Sequence, residues 1–276
     1  MPKSILVSCA LALLLTAGCA QAPVTGRQQL ILVSDAQMNQ AGAQAYREVL
    51  QKEGVSEDPV LRQRVETVGA RIAKASGIKG AQWQFTVVDD PTANAFALPG
   101  GKVAVNTGLF KVVENDDQLA AVLAHEIAHV TAKHASERVS QQMLQQGGLQ
   151  VLGAATGDPA LVQLASVAAQ IGLTLPYSRT QESEADEIGL TYMARAGYDP
   201  REAVALWQNM EKAGSGGSVE FLSTHPSPDS RIARLQQLMP QAMAVYRGGG
   251  RPGGGAGTAA GAATGGAGGG AGAGTR

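Results

Sequence analysis

Cysteine is almost absent from this sequence: the 276 residues include two, Cys9 and Cys19, and both lie near the amino terminus. The chain beyond Cys19 therefore cannot form an internal disulfide. Its stability must come from core packing, together with any metal ion that it binds.

Charge is also scarce and nearly balanced, with 22 basic and 23 acidic residues that make up 16% of the chain. Lysine and arginine form no cluster or stripe along the sequence. A protein that binds nucleic acid carries such a basic patch, so the composition does not support nucleic-acid binding.

Long apolar runs are missing after the first 20 residues. The segment 141–176 is low in charge, but Gly147, Gly148 and the pair Asp158-Pro159 interrupt it. No uninterrupted run approaches the length that spans a bilayer. We expect a mobile flap here, followed by a helix from Pro159.

The first 19 residues have the pattern of a bacterial export signal. Lys3 precedes the apolar run ILVSCALALLLTA, which is too short for a permanent membrane helix. The run ends in TAGC, a lipobox-like sequence that predicts lipidation of Cys19. Cleavage after Ala22 is the alternative. Because Ala20 replaces the aspartate that retains lipoproteins at the inner membrane, the sequence predicts a periplasmic protein anchored to the outer membrane.

The carboxyl-terminal residues 248–276 are almost wholly glycine and alanine, and they hold 15 of the 35 glycines. Such a segment buries too little side chain to offset the entropy cost of ordering it. We expect a disordered tail.

The central stretch from Asn115 to His134 contains HEIAH on a predicted helix with Asn115 as N-cap. His125 and His129 are four residues apart, so both imidazoles lie on one face and can reach one metal ion, with Glu126 beside them. This pattern indicates a zinc-protease helix; two ordinary histidines are the alternative. His134 points away from that face, and we expect it to be solvated at the last turn.

The residues before this helix predict a scaffold of two helices, 35–53 and 58–76, and two strands, 83–88 and 102–106. The segment DDPTANAFALPGG joins the strands. It is either a place where an extended peptide pairs with the edge of the sheet or a simple hairpin connection.

A second acidic motif, ESEAD, opens a predicted helix with Thr180 as N-cap. Glu182 and Asp186 share one face at the i, i+4 spacing, as a third zinc ligand and a carboxylate supporting a ligand histidine would. Glu184 and Glu187 face elsewhere, and we expect both to be solvated. Acidic residues are common at helix starts, which is the alternative explanation of the motif.

Further helices are predicted over residues 200–213 and from Pro228 to Met239. His225 lies in the loop STHPSPDSRI between them, where Pro226 keeps the backbone extended. It is either a simple loop residue or a side chain directed into the cleft.

HEIAH, ESEAD and STHPSPDSRI, in this order, resemble the family of zinc metallopeptidases that includes the CaaX prenyl protease, HtpX and the BepA-like proteins. The similarity spans residues 23–239, and the layout is closest to compact LoiP-like lipoproteins. The tetratricopeptide repeats of BepA-like proteins and the membrane spans of HtpX are missing from this chain, so their partners and membrane-embedded substrates are not implied.

The resemblance implies that His125, His129 and Glu182 bind one Zn²⁺ per chain and that Glu126 is the general base. It also implies that Asp186 supports a ligand histidine and that Arg231 orients the loop of His225. His225 itself would be a fourth ligand that keeps the enzyme latent, or an oxyanion donor once released.

These observations predict an α+β, mainly α, gluzincin-like domain over residues 35–247 with a small β-sheet beside the active-site helix, preceded by a linker and extended segment over 20–34. The expected function is a zinc endopeptidase of the bacterial envelope that cleaves extended, unfolded or misassembled proteins. The alternative is a non-catalytic periplasmic chaperone or assembly factor with a structural zinc site.

Overall fold

The computed structural model describes residues 19–145, 164, 166–167, 170, 175–214, 219–226 and 228–249. The export signal up to residue 18, most of the expected flap, most of the helix expected from Pro159 and nearly all of the glycine-rich tail lie outside the described residues. Within these ranges, every helix is too short or too polar to cross a membrane.

The described part of the chain is mainly helical, as the sequence predicts. In chain order its elements are β1 (Cys19–Gln21), β2 (Gln28–Leu30), α1 (Asp35–Glu53), α2 (Pro59–Ser76), β3 (Gln84–Val88), β4 (Ala95–Leu98), β5 (Lys102–Asn106), a 3₁₀ turn (Thr107–Lys111), α3 (Asp116–Thr131), α4 (His134–Gln145), α5 (Arg179–Arg195), α6 (Glu202–Gly214), α7 (Phe221–Thr224) and α8 (Pro228–Gly248).

The larger sheet has the strand order β3-β5-β4. The two predicted strands, β3 and β5, are confirmed and run parallel, with Gln84 opposite Lys102. The segment between them is not a simple hairpin connection, because it contains a third strand, β4, which pairs antiparallel with β5. All four residues of β4 are buried, so its sequence lacks the alternation by which a half-exposed strand is recognised.

Helix α3 lies at the centre of the molecule and packs against α2, α5 and α6. Asn115 caps it as predicted, accepting a hydrogen bond from the amide of Gln118. The helix does not run to His134. It ends at Thr131, because Lys133 adopts a left-handed backbone conformation with φ 54°, and α4 then begins at His134.

Helix α5 crosses α3 at very short range. A Cβ on Gly189 would lie 3.1 Å from the carbonyl group of Ala124 and from the amide of His125, so a larger residue would push the helices apart. The N-cap of α5 is Ser178, two residues before the predicted Thr180, because Ser178 and Gln181 form a capping box.

The amino-terminal residues form an antiparallel pair of strands, β1 and β2, in which Cys19 lies opposite Leu30. The side chain of Gln29 donates a 2.6 Å hydrogen bond to the carbonyl of Ala132, where α3 ends. At the other end of the chain, α8 continues through Pro240 to Gly248, well past its predicted end at Met239.

Candidate metal centre

Four side chains converge in the interior where α3, α5 and the residue after α7 meet. His125 and His129 extend from α3, Glu182 from the first turn of α5, and His225 from the end of α7. One potential ligand atom from each lies within 4.8 Å of the other three, and all four residues are buried. The structure therefore brings together the four residues that the sequence proposed as zinc ligands.

The distances within this cluster are those of groups that share one centre. The Nε2 atoms of His125 and His129 are 2.9 Å apart, and Nδ1 of His225 lies 3.2 Å from Nε2 of His125. The Oε1 atom of Glu182 is 2.9 Å from Nδ1 of His225 and 3.4 Å from Nε2 of His129. Three imidazoles and a carboxylate form a donor set that Zn²⁺ prefers.

Asp186 and Arg231 contact the outer sides of the cluster residues. Asp186 lies one turn after Glu182, and its Oδ1 is 3.1 Å from the outer ring nitrogen, Nδ1, of His125. Arg231 on α8 donates to both carboxylates: its Nε is 2.8 Å from Asp186, and its Nη1 contacts Glu182. The guanidinium also stacks on the ring of Trp207 at 3.8 Å. Arg231 is thus a buried cation between two buried anions.

These contacts keep the two carboxylates ionised. Burial alone would raise the pKa of Glu182, but His225 and Arg231 outweigh it and hold that pKa well below the ordinary value. The pKa of Asp186 is also lowered, because Arg231 outweighs the effect of burial. Anionic oxygens facing imidazole nitrogens suit a divalent cation.

Glu126 has one carboxylate oxygen that lacks a partner. Among the described residues, its Oε1 is the one buried side-chain oxygen or nitrogen without a hydrogen bond. Nε2 of His225 lies 3.4 Å from this oxygen. Burial raises the pKa of this carboxyl. An orphaned buried carboxylate beside a zinc-type donor set fits a group that is satisfied when metal, water or substrate is present, so the residues fit a zinc ion.

Two aromatic side chains pack against histidines of the centre. Tyr177 lies 3.9 Å from the ring of His129, and Phe221 stacks on His225 at 4.3 Å between ring centroids. The backbone amide of Tyr177 also donates to the carbonyl of Thr224, next to His225. These rings exclude water and limit the orientations open to the two histidines.

A cavity of about 550 Å³ opens beside this centre. It is bounded by α1, residues 77–81, the end of β4 and the last turn of α3, and its wall includes His129, Val130, Ala97, Pro99 and Tyr177. The cavity therefore connects one candidate metal ligand, His129, with the sheet.

Two predictions about neighbouring residues are wrong. His134 is fully buried rather than solvated, with Nδ1 2.9 Å from Nδ1 of His129 and Nε2 3.0 Å from Glu184.

Glu184 is buried too. Burial raises its pKa, but hydrogen bonds from His134, Thr25 and Arg27 lower that pKa to about 2. Glu187 is part-buried and paired with Arg234 at 2.9 Å.

Little in the sequence indicates these partners. His134 is the one histidine of the four in the chain that no motif includes, and Arg27 lies more than 100 residues away from His134. The fact that a chain with so few histidines has three within ten residues is a signal that could have linked His134 to the site.

Comparison with known proteins agrees with this geometry. A family model described as Peptidase family M48 matches residues 59–239. The chain is similar to the mitochondrial metalloendopeptidase OMA1 of Schizosaccharomyces pombe, 37% identical over 225 residues, which are 80% of this chain and 66% of that protein. The OMA1 of Saccharomyces cerevisiae is 35% identical over 246 residues, covering 82% of this chain and 70% of that protein.

A bacterial relative is the putative beta-barrel assembly-enhancing protease of Vibrio cholerae. It is 30% identical over 217 residues, which are 73% of this chain and 45% of that protein, so the chain spans less than half of this relative. The predicted resemblance, the mainly helical fold and the peptidase class are therefore confirmed. With its family match over most of the described residues, the chain belongs to peptidase family M48, a family of metallopeptidases.

Proposed function

We propose that this chain is a zinc-dependent endopeptidase of the bacterial cell envelope that cleaves unfolded or misassembled envelope proteins. One observation carries the proposal: His125, His129 and Glu182 converge in the interior beside a carboxylate, that of Glu126, with an unpartnered oxygen. A buried carboxylate without a partner costs stability, which supports a role in chemistry rather than in folding.

His125, His129 and Glu182 would hold one Zn²⁺ per chain. When bound, zinc supplies a Lewis acid that polarises a peptide carbonyl and lowers the pKa of water to about 7. Asp186 would accept the outer N–H of His125, which leaves Nε2 with its lone pair directed into the centre. Arg231 keeps Asp186 anionic and in place for that task.

Glu126 would act as the general base. Its Oε1 takes a proton from the attacking water as the new carbon–oxygen bond forms, and it returns that proton to the peptide nitrogen as the carbon–nitrogen bond breaks. The raised pKa of the carboxyl suits this task, because a more basic carboxylate accepts the proton more readily.

His225 would keep the enzyme latent. Its Nδ1 faces His125 and Glu182 while its Nε2 faces Glu126, so the ring occupies the space between the ligands and the base. As a fourth ligand it would close the position that substrate needs. Moved away with the loop after α7, it could donate a hydrogen bond to the developing oxyanion.

The substrate would be a polypeptide in extended form. The cavity beside His129 reaches the end of β4, an outer strand of the sheet among the described residues, with which an extended chain could align. Lipidation at Cys19 would anchor the enzyme to the outer membrane and face it toward the periplasm. The name of the Vibrio cholerae relative, which refers to β-barrel assembly, supports an envelope role.

Casein cleavage by the purified chain tests this function, with zinc content measured on each variant. We expect slow cleavage by the wild type and faster cleavage by His225→Ala. Glu126→Gln should retain zinc, because Glu126 is not a ligand, and lose activity by about 10² to 10⁴-fold, the usual contribution of a general base.

The outcome that would contradict the proposal is retention of zinc by all three proteins with cleavage by none. That result would favour the alternative, a chaperone or assembly factor with a structural zinc site. Equal cleavage of folded and unfolded envelope proteins would contradict the proposed substrate class.

A further inference from the structure

The two histidines of α3 have different outer partners. The outer nitrogen of His125 contacts the carboxylate of Asp186 directly. The outer nitrogen of His129, Nδ1, instead lies 2.9 Å from Nδ1 of a second histidine, His134. His134 is fully buried, and the catalytic scheme above assigns it no role.

One placement of protons satisfies every atom in this arrangement. His129 directs Nε2 toward the other ligands, so its proton is on Nδ1, which must donate. His134 must then accept at Nδ1 and carry its own proton on Nε2. That nitrogen is 3.0 Å from Oε2 of Glu184, a carboxylate that can accept it. With the opposite tautomer of His134, two N–H groups would face each other.

Glu184 is itself held by the amino-terminal hairpin. The hydroxyl of Thr25 contacts its Oε1, and Nε of Arg27 lies 2.7 Å from its Oε2. Arg27 also forms a bidentate ion pair with Glu137 on α4, in which Nη1 and Nη2 donate to the two carboxylate oxygens at 2.7 and 2.8 Å. A continuous chain of side-chain contacts therefore runs from His129 on α3, through His134 on α4 and Glu184 on α5, to residues 25–27.

We propose that His134 is a positioning residue for His129 and that Glu184, held by Thr25 and Arg27, fixes the tautomer and orientation of His134. The proposal rests on the zinc site proposed above and extends it. Outer-sphere partners of a ligand histidine restrict its ring and make it a better donor. Residues 25–27 lie outside the stretch 59–239 that matches the family model, so a segment before that stretch completes the metal centre.

The test measures zinc affinity of the full chain, purified in detergent, by competition with a chromogenic chelator. His134→Leu removes the acceptor for His129. His134→Asn keeps an acceptor, because its Oδ1 is bonded to Cγ as Nδ1 is in histidine. Glu184→Gln removes the outer charge, and Glu187→Gln is the matched control: the same change, on the same helix, at a residue paired with Arg234 and not with His134.

We expect His134→Leu to bind zinc about 10 to 100-fold more weakly, the usual effect of losing an outer partner of a ligand. His134→Asn should recover most of that loss, Glu184→Gln should show an intermediate loss, and Glu187→Gln should equal the wild type. The absorption spectrum of the Co²⁺-loaded protein should change in His134→Leu and return toward wild type in His134→Asn, which a general loss of stability would not produce.

Three results would overturn this role while the zinc site stands: wild-type zinc affinity in His134→Leu, no recovery in a folded His134→Asn, or equal effects of Glu184→Gln and Glu187→Gln. If His134→Leu fails to fold, the comparison of zinc affinity between Glu184→Gln and Glu187→Gln still tests the role, because Glu184 contacts His134 and Glu187 does not. A wild type that binds no zinc would overturn the proposed function and this role together.

Discussion

Arg231 shows at the scale of one residue how the centre balances charge. The guanidinium is buried, contacts the carboxylates of Glu182 and Asp186, and stacks on Trp207. Removing one partner of a buried ion pair leaves a buried charge without compensation, which costs far more than the loss of a surface pair.

We therefore expect Arg231→Leu to lower the free energy of unfolding of the zinc-free protein by about 3–5 kcal/mol. Arg234, one turn later on α8, pairs with Glu187 in a more exposed position. Arg234→Leu should cost at most about 1 kcal/mol. Urea unfolding of both variants measures the difference, and similar losses in the two would contradict the assigned role of Arg231.

Spacing along the chain predicts which residues share a helix face, and for His125 and His129 that was sufficient. It does not predict what packs against the face from elsewhere. The position of His134 off the metal face predicts a solvated side chain, yet Glu184, 50 residues later, contacts it. The burial of Glu184 depends in turn on Arg27, 157 residues earlier, and no local pattern encodes such a contact.

At the scale of elements, the sequence predicts the helices that have clear capping residues and the strands in which apolar and polar residues alternate. It does not predict β4, which is buried on both faces. It also does not predict the break between α3 and α4, because Lys133 adopts a positive φ there and lysine rarely does so. The close crossing of α3 and α5 at Gly189 also depends on tertiary packing.

The contact between the amino-terminal hairpin and α4 makes stability depend on pH. Burial raises the pKa of Glu137, but hydrogen bonds from Arg27 and Gln181 outweigh it and lower that pKa below its ordinary value of 4.5. A carboxyl whose pKa is lower in the folded state contributes stability above the unfolded pKa and loses it as pH falls toward the folded value.

Glu137→Gln should therefore lower the free energy of unfolding by about 1–2 kcal/mol at pH 7, less than a fully buried charged hydrogen bond contributes, because Arg27 is partly exposed to solvent. The difference between variant and wild type should shrink as pH falls below 4.5, because the unfolded wild-type chain binds a proton at this carboxyl there, while the folded chain binds it only at lower pH. Chemical unfolding at a series of pH values measures it. A difference that stays constant across this range would mean that the ion pair with Arg27 contributes nothing.

At the scale of the whole molecule, the described elements serve one centre. Helices α3 and α5 carry the proposed ligands, α8 supplies the buried cation, and α4 with the amino-terminal hairpin holds the outer partners of His129. The family and the mainly helical fold could be predicted from three ordered motifs. The contribution of the hairpin could not, because residues 20–34 have the composition of a linker and acquire their role through Arg27.

X-ray absorption at the zinc edge tests the central claim most directly. The full chain should bind one zinc per molecule with nitrogen and oxygen neighbours alone, at about 2.0–2.2 Å, the distances of imidazole and carboxylate ligands. Three imidazoles should contribute in the wild type and two in His225→Ala. A zinc content well below one per chain, or a spectrum that His225→Ala leaves unchanged, would contradict the four-residue centre formed by His125, His129, Glu182 and His225.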